Sequence, residues 1–243
     1  MRGEKTIKRV PVGNSWYGRE MKPWIRIDET DTPDGKKLSL FQRDGDFTLR
    51  VNGVDLMSTR EKSSEESLGQ LGCEDLGAVK NPRILIGGLG MGFTLRAALA
   101  CLSKDASILV AELFPAVIRW NQDPTFPFGA SSLRDPRVSC IAGDVLEVLQ
   151  ADSLGFDRIL LDVDNGPSAL TVETNHRLYL EPALRTIKKT LREGGRVAFW
   201  TVSRVPHFEK LLRDCGFCTE IRQVRAHQTS GGSRSIYFAS DLG

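Results

Sequence analysis

Histidine is scarce in this chain, with three residues in 243, and the five cysteines are odd in number and scattered, at positions 73, 101, 140, 215 and 218. Such a set excludes a disulfide framework and leaves reduced thiols as the expectation. Cys215-Gly-Phe-Cys218 has redox or metal spacing, but it is a single pair with no histidine arranged beside it, so it reads as packing at a helix-to-strand joint. Cys101 and Cys140 lie in apolar stretches, where cysteine behaves as a small hydrophobe. No metal site is expected. An excess of one charge is missing as well: 33 Lys plus Arg against 31 Asp plus Glu leave a formal net charge of +2. That balance gives no general attraction to nucleic acid or to a membrane surface. No apolar run reaches the length of a membrane span, and the first residues lead into no apolar signal segment, so a cytoplasmic protein is expected. Internal repeats, low-complexity tracts and a Gly-x-Ser-x-Gly elbow are absent too.

What is present is a 40% hydrophobic chain, enough for one α/β domain and a small extra module. Its most informative stretch runs from Arg83 to Ala100. There an apolar strand pattern breaks into Gly87, Gly88, Gly90 and Gly92, then resumes with Leu95, Ala98 and Leu99 on one helical face. Glycines in such a turn allow positive φ and let a ligand approach the backbone. The next apolar run, from Ser107, ends in Glu112, an acid at a strand tip and well placed to accept hydrogen bonds from ribose hydroxyls. The dinucleotide fingerprint is not met, because Phe93 stands where its third glycine belongs. The loop reads G-x-G-x-G and resembles the first motif of class I S-adenosylmethionine-dependent transferases.

Before this unit, residues 1 to about 30 are basic and carry Trp16, Tyr17, Trp24, Pro11 and Pro23, and they read as a surface arm. From Lys37 the pattern alternates, with Asp44-Gly45 and Asn52-Gly53 as hairpin turns between Leu38–Gln42, Phe47–Val51 and Val54–Met57. Ser63 and Glu66 have capping-box spacing for a helix towards Leu76. Beyond Arg83 strands are predicted near 83–87, 107–112, 137–141, 157–162 and 195–202. Helices are predicted after the first three, near 176–192 and near 206–214, and residues 121–136 read as a surface loop. Repeated βα units imply a parallel sheet covered on both faces. Residues 219–225 and 234–239 read as a terminal β hairpin. The domain division expected is 1–80 for arm, β module and connecting helix, and 81–243 for the nucleoside-binding catalytic part.

Ligands of open α/β sheets bind beyond the carboxyl ends of the strands. Three acidic positions fit: Glu112, Asp144, and the pair Asp162 and Asp164 ahead of Asn165-Gly166-Pro167. Asp144 is equally suited to meet an adenine amino group or to cap the helix that follows, and the two roles are compatible. His176 and His207 read as capping or solvent-facing, and His227 as a residue of the last loop.

The order of Gly-rich loop, Glu112, Asp135-Pro136-Arg137-Val138, Gly143-Asp144 and an acidic loop ending in Gly-Pro resembles spermidine synthases and related polyamine aminopropyltransferases. So does a β-rich module ahead of the sheet. The resemblance covers roughly residues 35 to 215. It implies a class I methyltransferase-like (Rossmann-like) α/β sheet with a C-terminal β hairpin, preceded by a small antiparallel β module, and by family habit a homodimer. Glu112 matches the ribose acid, Asp144 the adenine-side acid, Asp162 the catalytic acid and Asp164 the second acid, in a loop two residues shorter. Tyr179 matches the tyrosine that follows that loop. The departure is Gly90, which stands where the family has the aspartate that contacts the amine of decarboxylated S-adenosylmethionine.

The expected function is therefore transfer from an S-adenosyl sulfonium donor to a small amine, with Asp162, Asp164 and Tyr179 catalytic. Gly87, Gly88, Gly90, Gly92, Glu112, Asp144 and Asp162 would hold the cofactor. Gly90 favours methyl transfer from S-adenosylmethionine, and aminopropyl transfer from its decarboxylated form is the alternative. A binding protein that keeps the fold without catalysis is a second alternative, and a nicotinamide oxidoreductase a third, opposed by Phe93.

Overall fold

A computed structural model describes residues 22–163, 173–227 and 232–241. Trp16, Tyr17, Asp164 and the Asn165-Gly166-Pro167 segment therefore lie outside the described residues.

The chain begins with a four-stranded antiparallel sheet in the order β1 (Ile25–Asp31), β2 (Lys37–Arg43), β3 (Asp46–Val51), β4 (Val54–Ser58). The two hairpins pair Arg43 with Asp46 and Val51 with Val54. Asp44, Gly45, Asn52 and Gly53 all have positive φ, as two-residue turns that match strand twist require. Strand β1 corrects the expectation of an irregular arm up to residue 30. Its residues are mostly exposed on both faces, so no burial imposes an alternating pattern on its sequence.

Helix α1 (Ser63–Cys73) follows. The expected capping box does not form: Lys62 takes the N-cap position without a side-chain bond, and Glu66 pairs with Arg96 and Lys62 instead.

The large sheet then alternates β5 (Arg83–Gly87), α2 (Phe93–Cys101), β6 (Ser107–Glu112), α3 (Pro115–Gln122), α4 (Ala130–Leu133), β7 (Val138–Ala142), α5 (Val145–Ala151) and β8 (Phe156–Leu161). A 3-10 turn (Glu173–Tyr179), α6 (Glu181–Thr190), β9 (Leu191–Thr201), α7 (Pro206–Asp214), β10 (Phe217–Arg225) and β11 (Ser233–Asp241) complete it. The helix expected over 176–192 is thus two pieces. Leu180 is extended and Pro182 opens α6 afresh, because proline suits a first helical turn and disrupts an interior one. The predicted loop over 121–136 is also corrected, since it contains α4 and buries Phe128.

The sheet order is β10-β11-β9-β8-β5-β6-β7, with β5 to β9 parallel and β10 and β11 forming the expected antiparallel hairpin. Strand β5 has β6 on one side and β8 on the other, so the chain order reverses there. A crevice opens at such a reversal beyond the strand ends.

Strands β5 and β8 are buried on both faces, as parallel strands under helices must be. One core runs from Leu38, Leu40, Phe47 and Leu49 of the small sheet into Ile84, Ile86 and Val110 of the large one. Two further contacts fasten the small sheet in place. Phe47 meets Phe126 and Phe128 edge-on at 5.5 and 5.4 Å, and Trp120 Nε1 donates to Asp28 at 2.7 Å. The small sheet is thereby laid over the crevice.

Candidate active site

The glycine loop crosses the crevice against the tip of β8. Gly88 has φ +88, and a Cβ there would stand 2.2 Å from the carbonyl oxygen of Asp162. Only glycine allows that approach. The Asp162 amide in turn donates to the carbonyl of Gly87 at 2.8 Å. Gly88 and Gly90 line the cavity, whereas Gly87 closes β5 and Gly92 is the N-cap of α2.

Glu112 holds the loop from the other side. Its Oε2 accepts from the amides of Leu89 at 2.8 Å and Gly90 at 3.4 Å, and its Oε1 from the amide of Phe114 at 2.9 Å. Burial raises its pKa against the pull of these bonds. Three amides leave part of a carboxylate's acceptor capacity open. Asp144 caps α5 by accepting from the Leu146 amide at 2.8 Å, and its other oxygen pairs with Arg177 at 2.7 Å. The capping role is thus observed, at a position that also lines the cavity.

Asp162 is differently placed. Its Oδ2 accepts from the Thr94 hydroxyl at 2.7 Å. Burial, and secondarily the charge of Glu112, push its pKa up. The same Thr94 hydroxyl lies 3.2 Å from the carbonyl of Glu65, which brings a residue absent from the sequence-based site to the crevice. Glu65, on α1, is 6% exposed and accepts from the Ser64 hydroxyl at 2.6 Å. Burial and the neighbouring Asp162 raise its pKa.

These groups share one cavity. Its ionisable side chains among the described residues are Glu65, Glu112, Asp144 and Asp162, with no Lys, Arg or His. The opposite wall is apolar, with Leu38, Leu49, Leu56 and Met57 supplied by the small sheet. Trp200, at the end of β9, also lines it, and its buried Nε1 has no hydrogen-bond partner among the described residues. Such a lining can stabilise a cation, accept a proton and orient hydroxyl groups, with water kept from one side.

Tyr179 is not brought to this cavity. Its ring packs on Phe199 and Phe208, in a separate buried cluster that includes Leu184 and Ile187 of α6, and is 3% exposed. The residue ends the 3-10 turn ahead of α6, which turns it into the layer under the sheet. Asn121, fully buried, is a second residue missed. It donates to the carbonyls of Gly90 at 2.7 Å and Val117 at 2.9 Å, and no local sequence signal marks it. Cys215 and Cys218 flank the joint between α7 and β10, and no group of potential metal ligands occurs among the described residues.

No protein-family model matches the chain. Among curated proteins it is similar to putrescine N-methyltransferase 1 of Nicotiana tabacum, 29% identical over 150 residues that cover 60% of this chain and 38% of the relative. The like-named enzyme of Nicotiana attenuata gives 29% over 150 residues, covering 60% and 36%. The match thus spans less than two fifths of the length of these relatives. Among solved structures it is similar to a spermidine synthase in complex with the transition state analogue AdoDATO, with a TM-score of 0.67, 18% identity and coverage of 88% of this chain and 72% of that one. Spermidine synthase from Thermotoga maritima gives 0.68, 20%, 88% and 72%. The fold is accordingly spermidine synthase-like, with a class I methyltransferase-like sheet, as the order of motifs implied.

Proposed function

We propose that this chain is a transferase that takes an alkyl group from the sulfonium of an S-adenosyl donor and delivers it to a small amine, with methyl as the group transferred. The observation that carries this reading is the all-acidic set of ionisable groups in the cavity, because donor and acceptor are both cations in solution. The cradle fits the nucleoside too. A Cβ would collide at Gly88, and an acid with remaining acceptor capacity, Glu112, stands at the second strand tip. When bound, the donor supplies an electrophilic carbon on a positively charged sulfur.

The protein's residues do the rest. Glu112 accepts from the ribose hydroxyls, and Asp144 lies on the adenine side. Asp162 draws in a protonated amine, orients it and takes its proton so that the nitrogen can attack; a base so placed contributes roughly a hundredfold or more. Its raised pKa moves it towards the range in which it can both hold and release a proton. Asp164, outside the described residues, is assigned the helping role that the family resemblance implies. The apolar wall of the small sheet keeps water away.

The names of the curated relatives support methyl transfer to a diamine of the putrescine kind. The AdoDATO-bound neighbour supports the second reading, aminopropyl transfer from the decarboxylated donor. Work in the cytoplasm, a homodimer, no nucleic-acid partner and two units divided near residue 80 belong to the same proposal. Among the described residues no helix is long and apolar enough to cross a membrane.

Titration with S-adenosylmethionine, its decarboxylated form and methylthioadenosine, followed by mass analysis of products from putrescine, tests the reading. A methylated product is expected. Failure of all three nucleosides to bind would defeat it.

A further inference from the structure

Among the described residues, buried carboxylates are otherwise provided for. Glu209, 6% exposed, is paired with Arg204 at 2.6 Å, and Glu112 has three backbone amides. Glu65 and Asp162 are the exceptions. Neither is in a salt bridge among the described residues, and each has one side-chain hydroxyl donor, Ser64 and Thr94 respectively. The basic residues near α1 are used elsewhere: Lys62 and Arg96 go to Glu66, and Arg234 lies 4.0 Å from Glu61 and 5.9 Å from the Trp200 ring. Two carboxyls without a salt bridge among the described residues, in one partly dry cavity, make each other harder to ionise, and for Glu65 the charge of Arg234 opposes this.

A second observation points to a ligand at the same place. Trp200 is 8% exposed, lines the cavity, and its indole N–H has no acceptor among the described residues. Buried donors of this kind are normally satisfied, here by an acceptor atom and not by an ammonium, which only donates. An indole beside acids is also a favourable surface for a cation.

We propose that Glu65 acts with Asp162 as a two-carboxyl clamp for one protonated nitrogen of the acceptor, a proton leaving the pair when that nitrogen binds. The inference rests on the amine-acceptor reading above and makes Glu65 a specificity residue for it. No bond other than that to the proton changes: an ammonium enters, the ionised pair holds it, and one proton leaves to solvent. Glu65 is faced by Ser64 on α1, Asp162 beyond β8 and Arg234 on β11, and Asp162 by Thr94 on α2 and Glu112 on β6.

Calorimetry with putrescine as the probe, with and without saturating methylthioadenosine, reads the clamp directly. Run at about pH 6.5 in two buffers of different ionisation enthalpy, it counts the protons released. The wild type should release a proton on binding. Glu65→Gln should bind putrescine roughly tenfold or more weakly and release less, with methylthioadenosine affinity unchanged. Glu65→Asp should recover part of both effects. Because the glutamine variant removes a buried charge without changing shape, its melting temperature should equal or exceed that of the wild type.

Unchanged putrescine affinity or proton release in Glu65→Gln overturns the clamp, as does equal loss of nucleoside and diamine binding. A wild type that binds the nucleoside but no putrescine overturns it while leaving the donor reading intact. One that binds putrescine with proton release but no nucleoside supports the clamp and defeats the donor reading.

Discussion

Glu112 and Asp144 on one side of the cavity, and Asp162 and Glu65 on the other, are four acids of the same chemistry under different constraint. The first two accept from backbone amides at fixed strand and helix ends, and Asp144 adds Arg177. The second two each accept from one side-chain hydroxyl, neither is in a salt bridge among the described residues, and the charge of Asp162 acts on Glu65. A carboxylate tied to backbone amides has its position set, so on the proposed reading it serves to place hydroxyl or amino groups. A carboxyl with one weak donor in a dry site sits close to protonation and responds to an arriving cation. On the proposed reading the acids thus divide into a pair that positions and a pair that exchanges protons.

The sharpest way to break this division is Asp162→Asn. Turnover should fall by about two to four orders of magnitude while donor affinity stays within a few-fold. Single-turnover rates beside donor titration would measure both. Collapse of donor binding to the same extent would put Asp162 in the positioning pair.

The converse substitution, Glu112→Gln, should cost roughly 1.5–3 kcal/mol of nucleoside binding, about tenfold or more in affinity. It should also lower the melting temperature, since the loop amides of Leu89 and Gly90 lose a carboxylate acceptor. Equilibrium titration and thermal unfolding check the two effects separately. Unchanged binding in a folded variant would remove Glu112 from the site.

The proton-exchanging pair should also show in stability. A carboxyl whose pKa is higher folded than unfolded keeps its proton longer in the folded state, so stability declines as pH rises through that window. Here the window runs from the ordinary carboxylate range up to about 7 for Glu65. The ligand-free protein should lose about 1 kcal/mol or more across it, about 2–4 °C in melting temperature. Glu65→Gln should flatten the profile, and a profile as steep in the variant would place the effect elsewhere.

The smallest effect concerns donor choice. Gly90 has φ +52, a region aspartate tolerates better than most residues. A Cβ there would meet only the flexible end of Met57, at 2.7 Å. Gly90→Asp should shift relative affinity a few-fold, roughly 1 kcal/mol, from S-adenosylmethionine towards its decarboxylated form. Competition titration of the two donors decides it, and a shift the other way would contradict the alignment of the loop.

Much of this was legible before any coordinates. The parallel sheet implied by repeated βα units, the hairpin turns at Asp44-Gly45 and Asn52-Gly53, and the tips at Glu112, Asp144 and Asp162 are local patterns with local causes: periodicity, positive φ, and acids closing apolar runs. Glu65 was not legible. In Ser63-Ser64-Glu65-Glu66-Ser67 it looks like its neighbour Glu66, which pairs on the surface with Arg96. Tyr179 goes the other way, because the 3-10 turn that it ends sends the ring into the core and no local signal marks that.

The sequence by itself determined which elements form and where the glycine loop and strand-tip acids fall along the chain, because those follow from spacing over a few residues. Only the tertiary structure decided which acids share a cavity. The packing of α1 against α2 and β8 buries Glu65 beside Asp162, and the small sheet laid over the crevice supplies the wall that dries it. Desolvation and mutual repulsion depend on distances between residues far apart in the chain, so the chemistry of the pair exists only once the fold has closed around it.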